Sequence, residues 1–91
     1  MLFMVIEIPK GGDWKPVGER FRREGRLMPD GVEYIDSWMD LTGTRCFQLM
    51  EAPRVELMRE WTRRWSDLVD FEVIPILTSV EFWEKARSVS G

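Results

Sequence analysis

Four short segments of this chain carry bulky apolar side chains on both of their alternating sides. In Leu2–Ile8, residues Leu2, Met4, Ile6 and Ile8 fall on one side and Phe3 and Val5 on the other, with Glu7 interrupting the run. Val32–Asp40 and Arg45–Glu51 set Ile35, Met39, Cys46 and Met50 against Tyr34, Trp38, Phe47 and Leu49. Phe71–Leu77 sets Ile74 and Ile76 against Phe71, Val73 and Leu77. A strand with one wet face alternates apolar with polar residues. These strands do not, so both faces of the sheet they form need cover.

The segments between them supply helices. Pro9 and Gly11-Gly12 close the first strand, and Asp13 caps a helix with Pro16 in its first turn, where a missing N–H costs nothing. Val17, Phe21 and Met28 form its apolar stripe, while Glu19, Arg20, Arg22, Arg23 and Arg26 face water. Gly25 weakens its last turns and Pro29-Asp30-Gly31 ends it. Pro53 opens a second helix with a heavier stripe of Leu57, Met58, Trp61, Trp65 and Leu68. Thr78 and Glu81 have capping-box spacing and start a terminal helix with Val80, Phe82, Trp83 and Ala86.

Leu41-Thr42-Gly43-Thr44 reads as a hairpin turn. An even-numbered loop pairs Asp40 with Arg45, Trp38 with Phe47 and Asp36 with Leu49; on the opposite face it pairs Met39 with Cys46, Ser37 with Gln48 and Ile35 with Met50. Pro75 suits an edge strand. The order is strand–helix–strand–strand–helix–strand plus a tail helix. That predicts an α+β, ferredoxin-like βαββαβ sandwich spanning 1–91 as one domain, a four-stranded antiparallel sheet with both main helices on one face. Two helices roof one face only. A homodimer packed through the open sheet face answers the imbalance, and a tail helix folding back over that face is the rival.

Composition removes several functions. The chain has no histidine and one cysteine, which excludes a His-based acid–base device and most zinc sites, so neither metal nor cofactor is expected. A net charge of −3 argues against nucleic acid. Arg45-Cys46-Phe47-Gln48-Leu49 keeps only part of the aromatic pattern of RNA-recognition strands. No apolar run approaches the roughly 20 residues of a membrane span, and no targeting signal precedes the first strand, which points to a cytoplasmic protein.

Three stretches carry a resemblance: Gly31-Val32-Glu33-Tyr34-Ile35-Asp36-Ser37-Trp38, then Arg45-Cys46-Phe47-Gln48-Leu49-Met50-Glu51, and Trp61 and Trp65 followed by Asp67 through Pro75. Over nearly its whole length the chain resembles a family of short bacterial proteins described as a domain of unknown function. The resemblance implies a ferredoxin-like fold similar to the dimeric α+β barrel group. That group includes antibiotic-biosynthesis-type monooxygenases, muconolactone-isomerase-like enzymes, haem-degrading enzymes and stress-response barrels. Its histidine-dependent chemistries have no counterpart here, and an enzyme analogy from fold alone is a weak warrant.

The hairpin holds the most suggestive side chains. Asp36 is the candidate general base, with Tyr34 and Arg45 as donors to a developing oxyanion; Trp38, Phe47 and Glu51 are the candidate ligand-binding wall. The structural alternative makes Asp40–Arg45 an edge salt bridge and the aromatics dimer core. Cys46, mid-strand with no base nearby, reads as a small core residue. The functional expectation is a homodimer binding a small apolar or aromatic molecule between its sheets, with cofactor-free catalysis as an extension. The alternative is a structural or regulatory self-association module.

Overall fold

The computed structural model describes residues 1–90, with side chains described through residue 87. Strand β1 (Leu2–Pro9) leads through a 3-10 turn into helix α1 (Lys15–Glu24). Strands β2 (Glu33–Met39) and β3 (Cys46–Glu51) follow, then helix α2 (Val55–Arg63), strand β4 (Val69–Ile76) and helix α3 (Ser79–Ser90). The strands form one antiparallel sheet of order β2-β3-β1-β4. The architecture is therefore α+β, with a four-stranded antiparallel sheet and helices.

The barrel expectation is corrected. β2 and β4 stand at opposite edges of the sheet with two strands between them, so the sheet is open. Closing a sheet requires a matched strand number, tilt and stagger. The family resemblance, which implied the barrel group, rests on short stretches of sequence that report none of these.

Every buried strand residue lies on the helix-facing side: Phe3, Val5, Glu7 and Pro9 of β1, Gln48 and Met50 of β3, and Val69 of β4. Met58, Trp61 and Trp65 complete this core from α2 and the turn after it, and Val17 packs against it from α1. The other side carries Leu2, Met4, Ile6, Phe47, Leu49, Ile74 and Ile76, all half-buried at most, with Ile8 and Trp38 exposed. Pro75 sits in an edge strand, where its missing N–H breaks no ladder.

Helix α1 has the expected length of about three turns but stops before the Pro29 end that its sequence pattern predicts. Gly25, at φ 69°, turns the chain and donates its N–H to the Phe21 carbonyl at 2.8 Å. Glycine adopts that conformation without steric cost, so it stops the helix before Pro29 does. Residues 26–28 are released from the helix, and Leu27 itself takes φ 57°. Arg26, expected on the wet face, swings toward the sheet instead.

The hairpin register is as the sequence predicts at four pairs: Trp38 opposite Phe47, Asp36 opposite Leu49, Met39 opposite Cys46 and Ser37 opposite Gln48. The Asp40–Arg45 pair also holds, the Asp40 N–H donating to the Arg45 carbonyl at 3.0 Å, and the sixth, Ile35 with Met50, fails. An irregularity between Tyr34 and Asp36 brings Tyr34, not Ile35, opposite Met50. One extra residue exchanges the faces beyond it. The turn is held by Asp40, whose carboxylate accepts from the Thr44 N–H at 2.8 Å and the Thr44 hydroxyl at 2.8 Å.

Helix α3 begins as predicted. The Glu81 N–H donates to Thr78 Oγ1 and the Thr78 N–H to Glu81 Oε1, each at 3.1 Å. It does not bury its apolar side chains: Val80, Phe82 and Trp83 remain 67%, 53% and 63% exposed. The radius of gyration, 15.1 Å, exceeds the roughly 12 Å of a compact chain of this length.

Candidate functional site

The sequence-predicted site residues divide between the two faces. Asp36, Trp38, Phe47 and Glu51 stand on the open side with Arg45 at its end, and Tyr34 is on the other. Arg45 lies 5.6 Å from the Phe47 ring centre and 3.7 Å from Asp40, an exposed pair. Glu51 ends the same strand about 20 Å away, six residues at about 3.4 Å each. Asp36 is exposed and accepts the N–H of its neighbour Ser37 at 2.8 Å. The bulge turns Tyr34 inward, where its hydroxyl meets Ser37 Oγ at 2.6 Å. Asp36 and Tyr34 are thus kept on opposite sides.

The inner face holds a different constellation. Glu7 is the third inward residue of β1, after Phe3 and Val5, and is 7% exposed. Across the sheet it faces Cys46 on one side and Phe71 on the other. The Gln48 amide donates from Nε2 to Glu7 Oε2, satisfying two buried polar groups at once. Burial pushes the Glu7 carboxyl up to about 7, against a smaller opposing pull from the Arg26 charge. It can therefore hold or release a proton near neutrality, the condition for general acid–base work. The Cys46 thiol is pushed up to about 11, by burial first and then by the nearby Glu7 charge, and stays protonated. A protonated thiol is a poor nucleophile.

Above this polar strip the helices leave a cleft of about 270 Å³. Helix α1 contributes Val17, Gly18 and Phe21 with Trp14 just before it; Trp61 and Trp65 close the opposite wall, and Met39, Val69 and Phe71 line the floor. Each indole N–H turns away to a backbone carbonyl. Trp14 donates to Gly43 at 2.6 Å, and Trp61 and Trp65 both donate to the Arg26 carbonyl at 2.9 Å. What the indoles offer the cleft is ring surface.

Those two bonds also fix Arg26. With Arg64 donating to the Leu27 carbonyl at 2.8 Å, three side chains from α2 and the turn after it hold the released segment in place. The Arg26 guanidinium lies 3.6 Å from the Tyr34 ring centre and 5.1 Å from that of Phe21. Stacking of this kind satisfies the π face of the guanidinium and leaves its N–H donors unused.

Glu7 and Arg26 are the candidate site residues that sequence reasoning passed over. Glu7 was visible as the single acid in an apolar strand, on the parity of Phe3 and Val5. Arg26 had only Gly25 to signal that it leaves the helix.

Among the described residues, no group of three or more Cys, Asp or Glu side chains comes together to hold a metal ion. No described helix is long and apolar enough to cross a membrane.

Residues 1–89 match the family described as Domain of unknown function (DUF3303), and the chain belongs to that family. No curated protein and no solved structure matches it. The likeness to the dimeric α+β barrel group does not hold, because the sheet is open, and the chemistry of those enzymes falls away with it.

Proposed function

We propose that this member of the DUF3303 family binds a small, largely apolar or aromatic molecule in the cleft between its sheet and helices α1 and α2. The observation that carries this reading is the ring-lined cleft of about 270 Å³ with the Glu7 carboxyl in its floor. Interiors are otherwise close-packed, and voids larger than a water molecule are few. An apolar cavity of about 150 Å³ already takes up benzene, so this cleft suits one or two rings with a polar substituent. Pockets that bind small molecules combine apolar walls with a few fixed polar groups, as Glu7 and Gln48 are here. Asp36, Arg45 and Trp38 of the open face are all exposed.

The test uses Gly18, whose missing side chain leaves the α1 wall open; a Cβ there would meet nothing within 4 Å. Gly18→Leu should fill the cleft and favour the helix by about 1 kcal/mol. Calorimetric titration with 2-phenylethanol should show binding to the wild type and little to the variant. Equal binding to a folded Gly18→Leu protein would refute the cleft as the site.

A second reading concerns assembly. The apolar open face and the exposed Val80, Phe82 and Trp83 support self-association of two copies through that face. Light scattering at micromolar concentration should give twice the mass of one chain. A single-chain mass would remove the dimer and leave the cleft reading untouched.

A further inference from the structure

We infer that the cleft selects an aromatic monocarboxylic acid, with its ring between the indole walls and its carboxylate on the Arg26 guanidinium. This rests on the small-molecule reading above and names the ligand class of the same site.

Among the described residues, Arg26 and Glu7 are the only charged ones lining the cleft. Among the described residues, the Arg26 guanidinium has ring partners but neither a hydrogen bond nor an ion pair. The Glu7 carboxyl, which feels the Arg26 charge, accepts the Gln48 amide at Oε2. A planar fork of donors, half-buried and fixed by its own backbone carbonyl, matches a carboxylate in two parallel hydrogen bonds. Neutral head groups find less, because the indoles of Trp14, Trp61 and Trp65 spend their N–H groups on backbone carbonyls.

Charge balance narrows the class further. Burial keeps the Glu7 carboxyl largely protonated below about pH 7. The Cys46 thiol stays neutral, and α1, α2 and β4 contribute only rings, aliphatic groups and Gly18 to the lining. The cleft lining then carries one net positive charge, which a monoanion neutralises. A phosphate monoester would leave an excess negative charge beside Glu7, and an amine would meet Arg26 unscreened, each at a desolvation cost.

The experiment compares phenylacetate, 2-phenylethanol and 2-phenylethylamine at pH 6 by calorimetry. Phenylacetate should bind at least about tenfold more tightly than the alcohol, and the amine most weakly. Arg26→Gln should erase the preference for the acid while leaving the alcohol unchanged. Because the indoles use the Arg26 carbonyl, unshifted Trp61 and Trp65 indole resonances will show that the variant is folded. If it does not fold, the ranking of the three probes on the wild type decides alone. An alcohol bound as tightly as the acid, or an amine bound best, overturns the inference and leaves the cleft reading standing. No binding of any probe at millimolar concentration overturns both.

Discussion

The two faces of the sheet both carry bulky apolar residues in sequence and have opposite fates. On the inner face Phe3, Val5 and Met50 are fully buried, and the polar residues among them are individually partnered: Glu7 with Gln48, Tyr34 with Ser37. On the outer face Ile8 is 46% and Trp38 50% exposed; Asp36 and Arg45 there bond near neighbours in the chain, and Asp70 meets Lys10 in an exposed ion pair at 2.6 Å. A buried polar group costs free energy unless satisfied, whereas an exposed one is satisfied by water. The specific chemistry of this chain is therefore to be sought where polar groups are buried by design of the fold. The outer face offers area, which fits association better than recognition of one small molecule.

The largest test of this contrast is packing. Phe3→Ala should destabilise the chain by about 3–5 kcal/mol in urea unfolding, enough to unfold a domain this small. Ile8→Ala, on the same strand with the opposite parity, should cost less than about 1 kcal/mol when measured on dilute protein. Equal losses would mean that the outer face is already covered within one chain.

Next in size is the buried acid. The Glu7 carboxyl is raised from 4.5 to about 7, so the folded state holds a proton that the unfolded state has released. Its contribution is fully present below about pH 4.5 and is lost as pH rises through about 7. The difference corresponds to about 3 kcal/mol. Glu7→Gln, which keeps an acceptor for Gln48, should thus stabilise the protein by up to that amount at pH 8 and change little at pH 4. Asp36→Asn should show no such pH dependence. A Glu7→Gln gain equal at both pH values would show that the carboxyl is not held neutral by burial.

The smallest effect lies at the hairpin turn. Hydrogen bonds from the Thr44 hydroxyl, the Thr44 and Arg45 N–H groups and Thr42 hold the Asp40 carboxyl down at about 2, against an ordinary 3.8. Its stabilising contribution is present above about pH 4 and lost as pH falls toward 2. Asp40→Asn should lower Tm modestly at pH 6 and have a smaller effect near pH 2. The exposed site limits its size.

Much of the frame was legible in the sequence because it rests on local patterns. The turn at Leu41–Thr44 and the parity of Trp38 with Phe47 set five of six hairpin pairs correctly, and Thr78 with Glu81 announced the start of α3. The candidate site was less legible, for two physical reasons. A bulge adds one residue without a compositional mark, so Tyr34 was placed beside Asp36 when it lies on the other face. The end of α1 depended on Gly25 adopting a left-handed turn, and the apolar periodicity running on to Met28 hid that. Sheet closure was beyond reach, since it is set by strand number and stagger. Depth of burial, which gives Glu7 its interest, is likewise a property of the packed layers.

The proposed ligand-binding face is the one beneath the helices, and the five tryptophans are placed to test it. Trp14, Trp61 and Trp65 line the cleft, Trp38 stands on the open face and Trp83 on α3. Titration of nitrogen-15-labelled protein with phenylacetate should move the three cleft indole resonances together and leave the other two in place. Movement of Trp38 and Trp83, with Trp14, Trp61 and Trp65 unchanged, would put the ligand on the opposite face and contradict the account.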